Sequence, residues 1–306
     1  MNVKKGFLYN ISKYKMLYIM FLPTFICLAV FNYAPLWGLR FAFYSYNPAM
    51  GLDKSPFVGW LNFTTLFNMA EFSRMVRNTV VVNIYKILFS FPAPILFALL
   101  LNEVRGKRYK RTLQTISYLP HFVSWVVVNA LLYALINGNY GLINSALKSI
   151  GVAPPKWYVR ADLWRSILVV TDIWKSVGFG SILYLAAISN VNSEMYEAAV
   201  IDGAGRLKQI THVTLPSILP TIVVMFIMNM GGMMSGNFQQ VFTLVGGNTP
   251  LYSTVDMLDT GIYRLGLQRL NISMGTAMGI FQSVISFVLV VITNQIANRV
   301  GEYGIW

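Results

Sequence analysis

The chain has 306 residues, 56% of them hydrophobic and only 11% charged, with a formal net charge of +13 at pH 7. Soluble domains carry about a quarter charged residues, so this composition excludes an ordinary soluble enzyme and belongs in a bilayer. The positive excess does not describe a nucleic-acid binder either, because no basic stripe with interleaved aromatics runs along a polar face; anionic lipid headgroups account for its cytoplasmic share more simply.

In chain order, Lys4, Lys5, Lys13 and Lys15 precede an apolar run from Met16 to about Phe43. That run is far longer than the apolar core of a signal peptide and reads as a retained first span. It contains Cys27, the single cysteine, which forms no internal disulfide and packs as a small apolar side chain. Residues 45–73 hold Trp60, Phe63, Phe67 and Phe72 among turn formers, the pattern of a helix lying in the membrane interface. Further runs of roughly 20 apolar residues follow at Val76–Leu101, Leu113–Ile136, Leu163–Ile188, Ile218–Met234 and Thr276–Ala297, making six spans. Between the second and third lie Arg105, Lys107, Arg108, Lys110 and Arg111. Short basic loops stay in the cytoplasm, so both termini are expected there. Residues 137–162 and 233–273 are then outer loops. The chain reads as one membrane domain over 1–306, with a core of about 72–300 and the first span plus interfacial segment over 16–71. No internal repeat, soluble domain, phosphate-binding glycine loop or nucleophile–base set is visible. His121 and His212 lack thiol or carboxylate company, so no metal site is expected.

Polar residues inside spans are costly in lipid and mark pathways or pairs. Asp172, Lys175, Ser176 and Phe179 on the fourth span fall at i, i+3, i+4 and i+7, on one helix face. Charge, hydroxyl and ring together suit a sugar; the alternative is an Asp172–Lys175 pair that satisfies itself. On the fifth span, Met230, Met233, Met234 and Asn237 share the same spacing, with Gln239 and Gln240 beyond. Methionine stripes usually pack. Lys86, inside the second span, faces the pathway or snorkels. Gly232–Gly236 and Gly275–Gly279 have the spacing of close helix contacts. Arg74, Arg77, Lys148, Arg160, Arg165, Arg264 and Arg269 give the outer side a positive excess, fit to meet an acidic protein face or an acidic oligosaccharide.

The loop between the fourth and fifth spans, residues 193–211 leading to Pro216, carries the most specific signal. Ser193 is the expected helix cap, with Glu194 and Glu197 in the first turn. Gly203 supplies a left-handed stop, and a second short helical piece, Arg206–Thr211, precedes the next apolar run. The order Glu197-Ala198-Ala199, Gly203, Val213, Leu215-Pro216 resembles the signature loop of membrane-spanning subunits of binding-protein-dependent ABC importers, with Val213 where the pattern has isoleucine. The extension Tyr196, Asp202 and Ala204 is most similar to the carbohydrate-importing branch. Asp259-Thr260, Tyr263-Arg264, Gly301 and Ile305-Trp306 resemble the complex-oligosaccharide permeases of Gram-positive bacteria.

The resemblance implies an all-α permease of the type I importer fold with six transmembrane helices and cytoplasmic termini. It implies no catalysis in this chain: ATP and magnesium would belong to a partner ATPase dimer. Other implied partners are a homologous second permease, an extracellular solute-binding protein, an oligosaccharide substrate and membrane lipid. Glu197 would be the main polar contact to the ATPase, Ala198, Ala199 and Gly203 the close fit, and Asp202 and Arg206 supports. In such relatives the span entering the loop contributes substrate contacts, and an Asn-Phe pair matches Asn237-Phe238. The competing readings are a same-fold importer of another solute and a secondary transporter. The latter lacks its expected paired, glycine-broken half-helices here.

Overall fold

The computed structural model describes residues 13–301 and 304–306; Lys4 and Lys5 lie outside the described residues. Within them the architecture is helical, with one isolated antiparallel bridge, Tyr44 to Phe57. Helix α1 (Lys15–Leu28) passes through a wide π turn (Ala29–Tyr33) into a tighter 3-10 stretch (Ala34–Phe43), forming one apolar rod. The amphipathic α2 (Leu61–Asn68) buries Phe63 and Leu66 and exposes Leu61 and Phe67, with Trp60 exposed just before it.

Proline shapes the second span. Helix α3 (Ala70–Tyr85) and α4 (Pro92–Glu103) are joined by a π turn, Lys86–Ser90. Pro92 has no N–H for the carbonyl four residues back, and the Phe91 N–H instead donates to Lys86 O, five residues back, at 2.9 Å. The same device recurs later. Helix α5 (Lys107–Phe122), α6 (Trp125–Ile136), α7 (Leu142–Ser149), α8 (Ala161–Ser189) and α9 (Ser193–Ile201) lead to α10 (Arg206–Gln209), a π turn at Ile210–Thr214, and α11 (Leu215–Gly231) with Pro216 in its first turn.

Three expectations are corrected. The third span is not one helix: α5 and α6 meet at 101°. Pro120 weakens the last turn of α5, Val123 turns extended (φ −74°, ψ 131°), and the Ser124 side chain caps α6 by accepting from the Val127 N–H at 3.4 Å. The short piece at Arg206 is fused to the fifth span, which runs Arg206–Gly231 as one rod. That rod ends at Gly231, so Met233, Met234 and Asn237 do not extend the face of Met230.

Beyond the rod, α12 (Phe238–Val245), α13 (Tyr252–Val255) and α14 (Leu258–Ile262) fold back into the bundle, and a π turn (Tyr263–Gln268) leads to α15 (Ile272–Gly301). By length and composition, five rods among the described residues can cross a membrane, and six if the bent pair counts as one. Of the two glycine pairs, one member of each permits a close approach: a Cβ on Gly275 would sit 2.7 Å from Gly266 Cα and one on Gly236, in the loop after the rod, would collide with Met257, whereas Gly279 has open space and Gly232 lies outside the helix.

Helix α8 organises the centre. Its i+4 row reads Trp164, Leu168, Asp172, Ser176, Gly180, Tyr184, Ile188. Trp164 and Leu168 join one buried cluster with Trp125, Val82, Val241 and Met257. Tyr184 and Ile188 join another with Ile95, Ala98, Leu101 and Ile218. The three middle positions are polar or lack a side chain, so the row is apolar at both ends and hollow between. Gly178, one row over, lets α5 approach: a Cβ there would fall on the Ser117 carbonyl.

Candidate functional site

The hollow is a cavity of about 510 Å³. Asp172, Ser176 and Gly180 line it from α8, Asn83, Lys86 and Ser90 from the second span, and Asn229, Ser235 and Asn237 from the end of the fifth. Phe91 and Tyr184 add ring faces. The π turn at Lys86 packs against α8. Lys86 Nζ donates to Gln240 Oε1 at 2.8 Å and lies 3.4 Å from Asp172 Oδ1. Gln240 is fully buried and donates to Leu168 O at 2.7 Å and Thr171 Oγ1 at 3.1 Å. Asn83 fixes the chain after the fifth rod by donating to Met233 O and Ser235 O, both at 2.9 Å. Asn237 takes a left-handed conformation (φ 54°) and caps α12 through the Gln240 N–H. Ser90 Oγ is buried at the cavity wall without a partner among the described residues. A hollow walled by amides, hydroxyls and two rings can bind a polyhydroxylated molecule.

The structure thus brings together Asp172, Ser176 and Asn237 and separates the rest of the expected pathway set. Lys175 sits one row away. Its ammonium bonds the carbonyls of Pro120 (3.3 Å), His121 (2.6 Å) and Val123, and lies 5.5 Å from the Trp125 ring centre. The Asp172–Lys175 self-pair is therefore not formed. Lys175 stoppers the open carbonyl end of α5, where the helix dipole is negative. Phe179 stacks on His121, ring centres 4.0 Å apart and planes 6° apart. Gln239 joins Lys175 around a second hollow of about 440 Å³ at the α5–α6 break. Met234 is buried against Met75, Leu258 and Met278, and Met233 contributes only its carbonyl to Asn83. Asn83, Ser90 and Asn229 line the cavity without having been expected there, and Gln240, fully buried behind its wall, holds Lys86 in place.

The loop that follows α8 is built differently. Asn192, not Ser193, is the cap, accepting from the Glu194 N–H at 3.1 Å. Ser193 therefore begins the helix, and Glu197 lies a turn further in. Helix α9 buries no residue. Glu197, Ala198, Asp202, Gly203 and Arg206 are exposed, and Ala199 and Ala204 are half-buried. Gly203 is left-handed at φ 74°, as expected, and lets α9 stop and turn toward α10. Two contacts stiffen the joint: Tyr196 Oη to Thr214 Oγ1 at 2.9 Å, and Gln209 Nε2 to Ala204 O at 2.9 Å. Arg206 reaches Glu103 at the end of α4, at 3.4 Å. Leu215 is half-buried and Pro216 exposed, at the start of α11. Grooves of about 560 Å³ flank α9, one containing Glu197, Arg206 and Glu103, the other Ala198, Ala199, Asp202 and Lys208. Ile201 is 86% and Leu207 78% exposed beside these charges, a mixture suited to a protein partner rather than to lipid.

Several of the arginines of the opposite end are internally engaged. Asp256, 1% exposed, receives Arg264 through two bonds of 2.6 and 2.9 Å, with Arg74 at 3.8 Å. The carboxylate holds the Arg264 guanidinium above its ordinary pKa. Arg165 and Arg77 donate to the backbone carbonyls of Thr254 and Ser253, and Arg160 pairs with Asp162 at 2.6 Å. Among the described residues, no group of three metal-ligating side chains occurs.

Apolar rods enclosing a polar cavity, with an exposed helical loop stiffly joined to two of them, define a polytopic membrane permease. The chain belongs to the family described as binding-protein-dependent transport system inner membrane component, matched over residues 90–302, and so to the permeases of ABC importers. It is 39% identical over 292 residues to protein LplB of Bacillus subtilis, covering 95% of this chain and 91% of the relative. It is 38% identical over 303 residues to the polygalacturonan/rhamnogalacturonan transport system permease protein YteP of the same organism, covering 99% and 94%. A crystal structure of a bacterial alginate ABC transporter, in complex with an alginate pentasaccharide-bound periplasmic protein, contains a chain of TM-score 0.90 and 38% identity, covering 98% of this chain and all of that one. Another crystal structure, of a bacterial ABC transporter involved in importing the acidic polysaccharide alginate, matches with TM-score 0.89 and 38% identity over 96% and 99%.

Proposed function

We propose that this chain is the permease subunit of an ATP-driven importer of oligosaccharides, acidic ones included, working by alternating access. The observation that carries the reading is the single path from α9 to the cavity. The loop helix is bonded through Tyr196 to Thr214 at the base of the fifth rod, Gln209 of that rod holds the turn between them at Ala204, and α8, which enters the loop, lines the cavity with Asp172 and Ser176. In this reading a partner ATPase dimer, holding ATP and magnesium, grips Glu197 and the alanine face of α9 from the cytoplasm. Closure of the ATPases moves α9, and its stiff joint passes the motion to the spans that wall the cavity. A second permease completes the pathway, and an extracellular binding protein delivers the sugar to the end that carries Arg77 and Arg165. The relatives that transport polygalacturonan and alginate support the sugar and its acidic variants, and the Bacillus relatives support the cell membrane of a Gram-positive bacterium.

The test is ATP hydrolysis by the reconstituted complex, with its binding protein, across a panel of neutral and acidic oligosaccharides. Stimulation by at least one oligosaccharide class is expected, and Glu197→Lys is expected to abolish it while the chain still reaches the membrane. Stimulation by a non-sugar solute alone would overturn the substrate assignment; normal coupling in Glu197→Lys would overturn the role of the loop.

A further inference from the structure

Of the sixteen residues that line the cavity, one is a cation, Lys86, and one an anion, Asp172. They face each other at 3.4 Å, from different spans. Each is anchored differently. Lys86 keeps a short bond to Gln240, itself fixed by Leu168 and Thr171. The Asp172 carboxylate has no hydrogen-bond partner among the described residues other than Lys86. Their side chains are 14% and 19% exposed, so both reach the hollow without being swept by bulk solvent. A cavity wall of this kind has zero net charge, and each member masks the other.

We infer that the Lys86–Asp172 pair sets the charge preference of the pathway, with Lys86 as the residue that accepts a sugar carboxylate in place of Asp172. The inference rests on the oligosaccharide reading above. A uronate entering the cavity competes with Asp172 for one ammonium that Gln240 already holds in place. The long 3.4 Å contact is the one exchanged, and the 2.8 Å bond to Gln240 stays. A neutral sugar leaves the pair closed and bonds the amides of Asn83, Asn229 and Asn237. Asp172 thus lowers affinity for acidic sugars relative to a bare lysine and keeps neutral ones admissible. Lys175 cannot substitute, because its protons are committed to backbone carbonyls.

The experiment is equilibrium binding to the assembled permease–ATPase complex in lipid nanodiscs, without the binding protein. The probes are a uronic-acid trisaccharide and the same trisaccharide with its carboxylates reduced to hydroxymethyl groups. Asp172→Asn is expected to shift the ratio of the two affinities toward the acidic probe by on the order of tenfold, the effect of one unit charge a few ångströms away in a partly hydrated cavity. Lys86→Gln is expected to shift it the other way, and the double variant to return it to the wild-type ratio. Lys86→Met and Asp172→Leu repeat both charge deletions with apolar side chains, should a polar substitution prevent assembly. Unchanged ratios in the single variants, with probe binding intact, would overturn the pair as a selector and leave the oligosaccharide reading standing. Binding of neither probe by the wild-type complex, together with no ATPase stimulation by any sugar, would overturn both.

Discussion

Two lysines inside the bundle, Lys175 on helix α8 and Lys86 facing it, do opposite things. Lys175 gives its protons to the carbonyls of Pro120, His121 and Val123 at the break between α5 and α6, where Pro120 O also accepts from the Val123 N–H at 3.2 Å. Lys86 gives its protons to side chains, Gln240 and Asp172, at the wall of a hollow. Backbone carbonyls at a fixed helix end cannot move aside without unfolding that end, so a cation bound to them is part of the frame. Side-chain partners can rotate or be replaced, so a cation bound to them can serve a ligand. What a buried charge is bonded to, more than how deeply it lies, decides whether it is structural or available.

The sharpest way to break this comparison is Lys175→Met. It removes the side-chain donor from the His121 and Val123 carbonyls at the α5–α6 break and is expected to cost about 3 kcal/mol. The readout is loss of assembled complex in the membrane, or a clearly lowered melting temperature of whatever assembles. Normal assembly with altered sugar preference would reverse the roles assigned to the two lysines. Lys86→Gln should be milder for the fold, because Gln240 retains Leu168 and Thr171; a small melting shift and a changed affinity ratio are expected together. The smallest effect belongs to Arg206→Gln. Its pair with Glu103 is exposed, with 66% of the arginine side chain in solvent, and such pairs contribute less than about 1 kcal/mol. Melting should therefore stay unchanged, and any loss of ATPase coupling in that variant would report a contact to the ATPase instead of lost stability.

The same contrast of frame and surface explains the loop. Helix α9 buries nothing of its own, yet it is not loosely hung: Tyr196, Gln209 and Gly203 set its angle to α11. A rigid element with an unburied face is what transmission of force requires. At the opposite end, Asp256 draws in Arg264 and Arg74, so part of the positive excess counted along the chain is spent internally and does not meet a ligand.

The amino-acid sequence by itself determined the membrane class, five of the six spans to within a few turns, and the loop from Tyr196 to Pro216. These are readable because they depend on local quantities: apolar length, the spacing of Glu197, Gly203 and Leu215-Pro216, and the left-handed backbone that Gly203 permits. Tertiary structure decided the break in the third span, because Pro120 alone permits several outcomes and the Lys175 ammonium on α8 must be there to take up the freed carbonyls. It decided the pathway too. Spacings of three and four both count as one face of a helix, but two neighbours pack against different rows. Only the arrangement of the second span and α5 around α8 assigns Asp172 and Ser176 to the cavity and Lys175 and Phe179 to the break. Lys86 and Gln240 are 154 positions apart. Their meeting is a property of the folded chain, and no pattern along the sequence contains it.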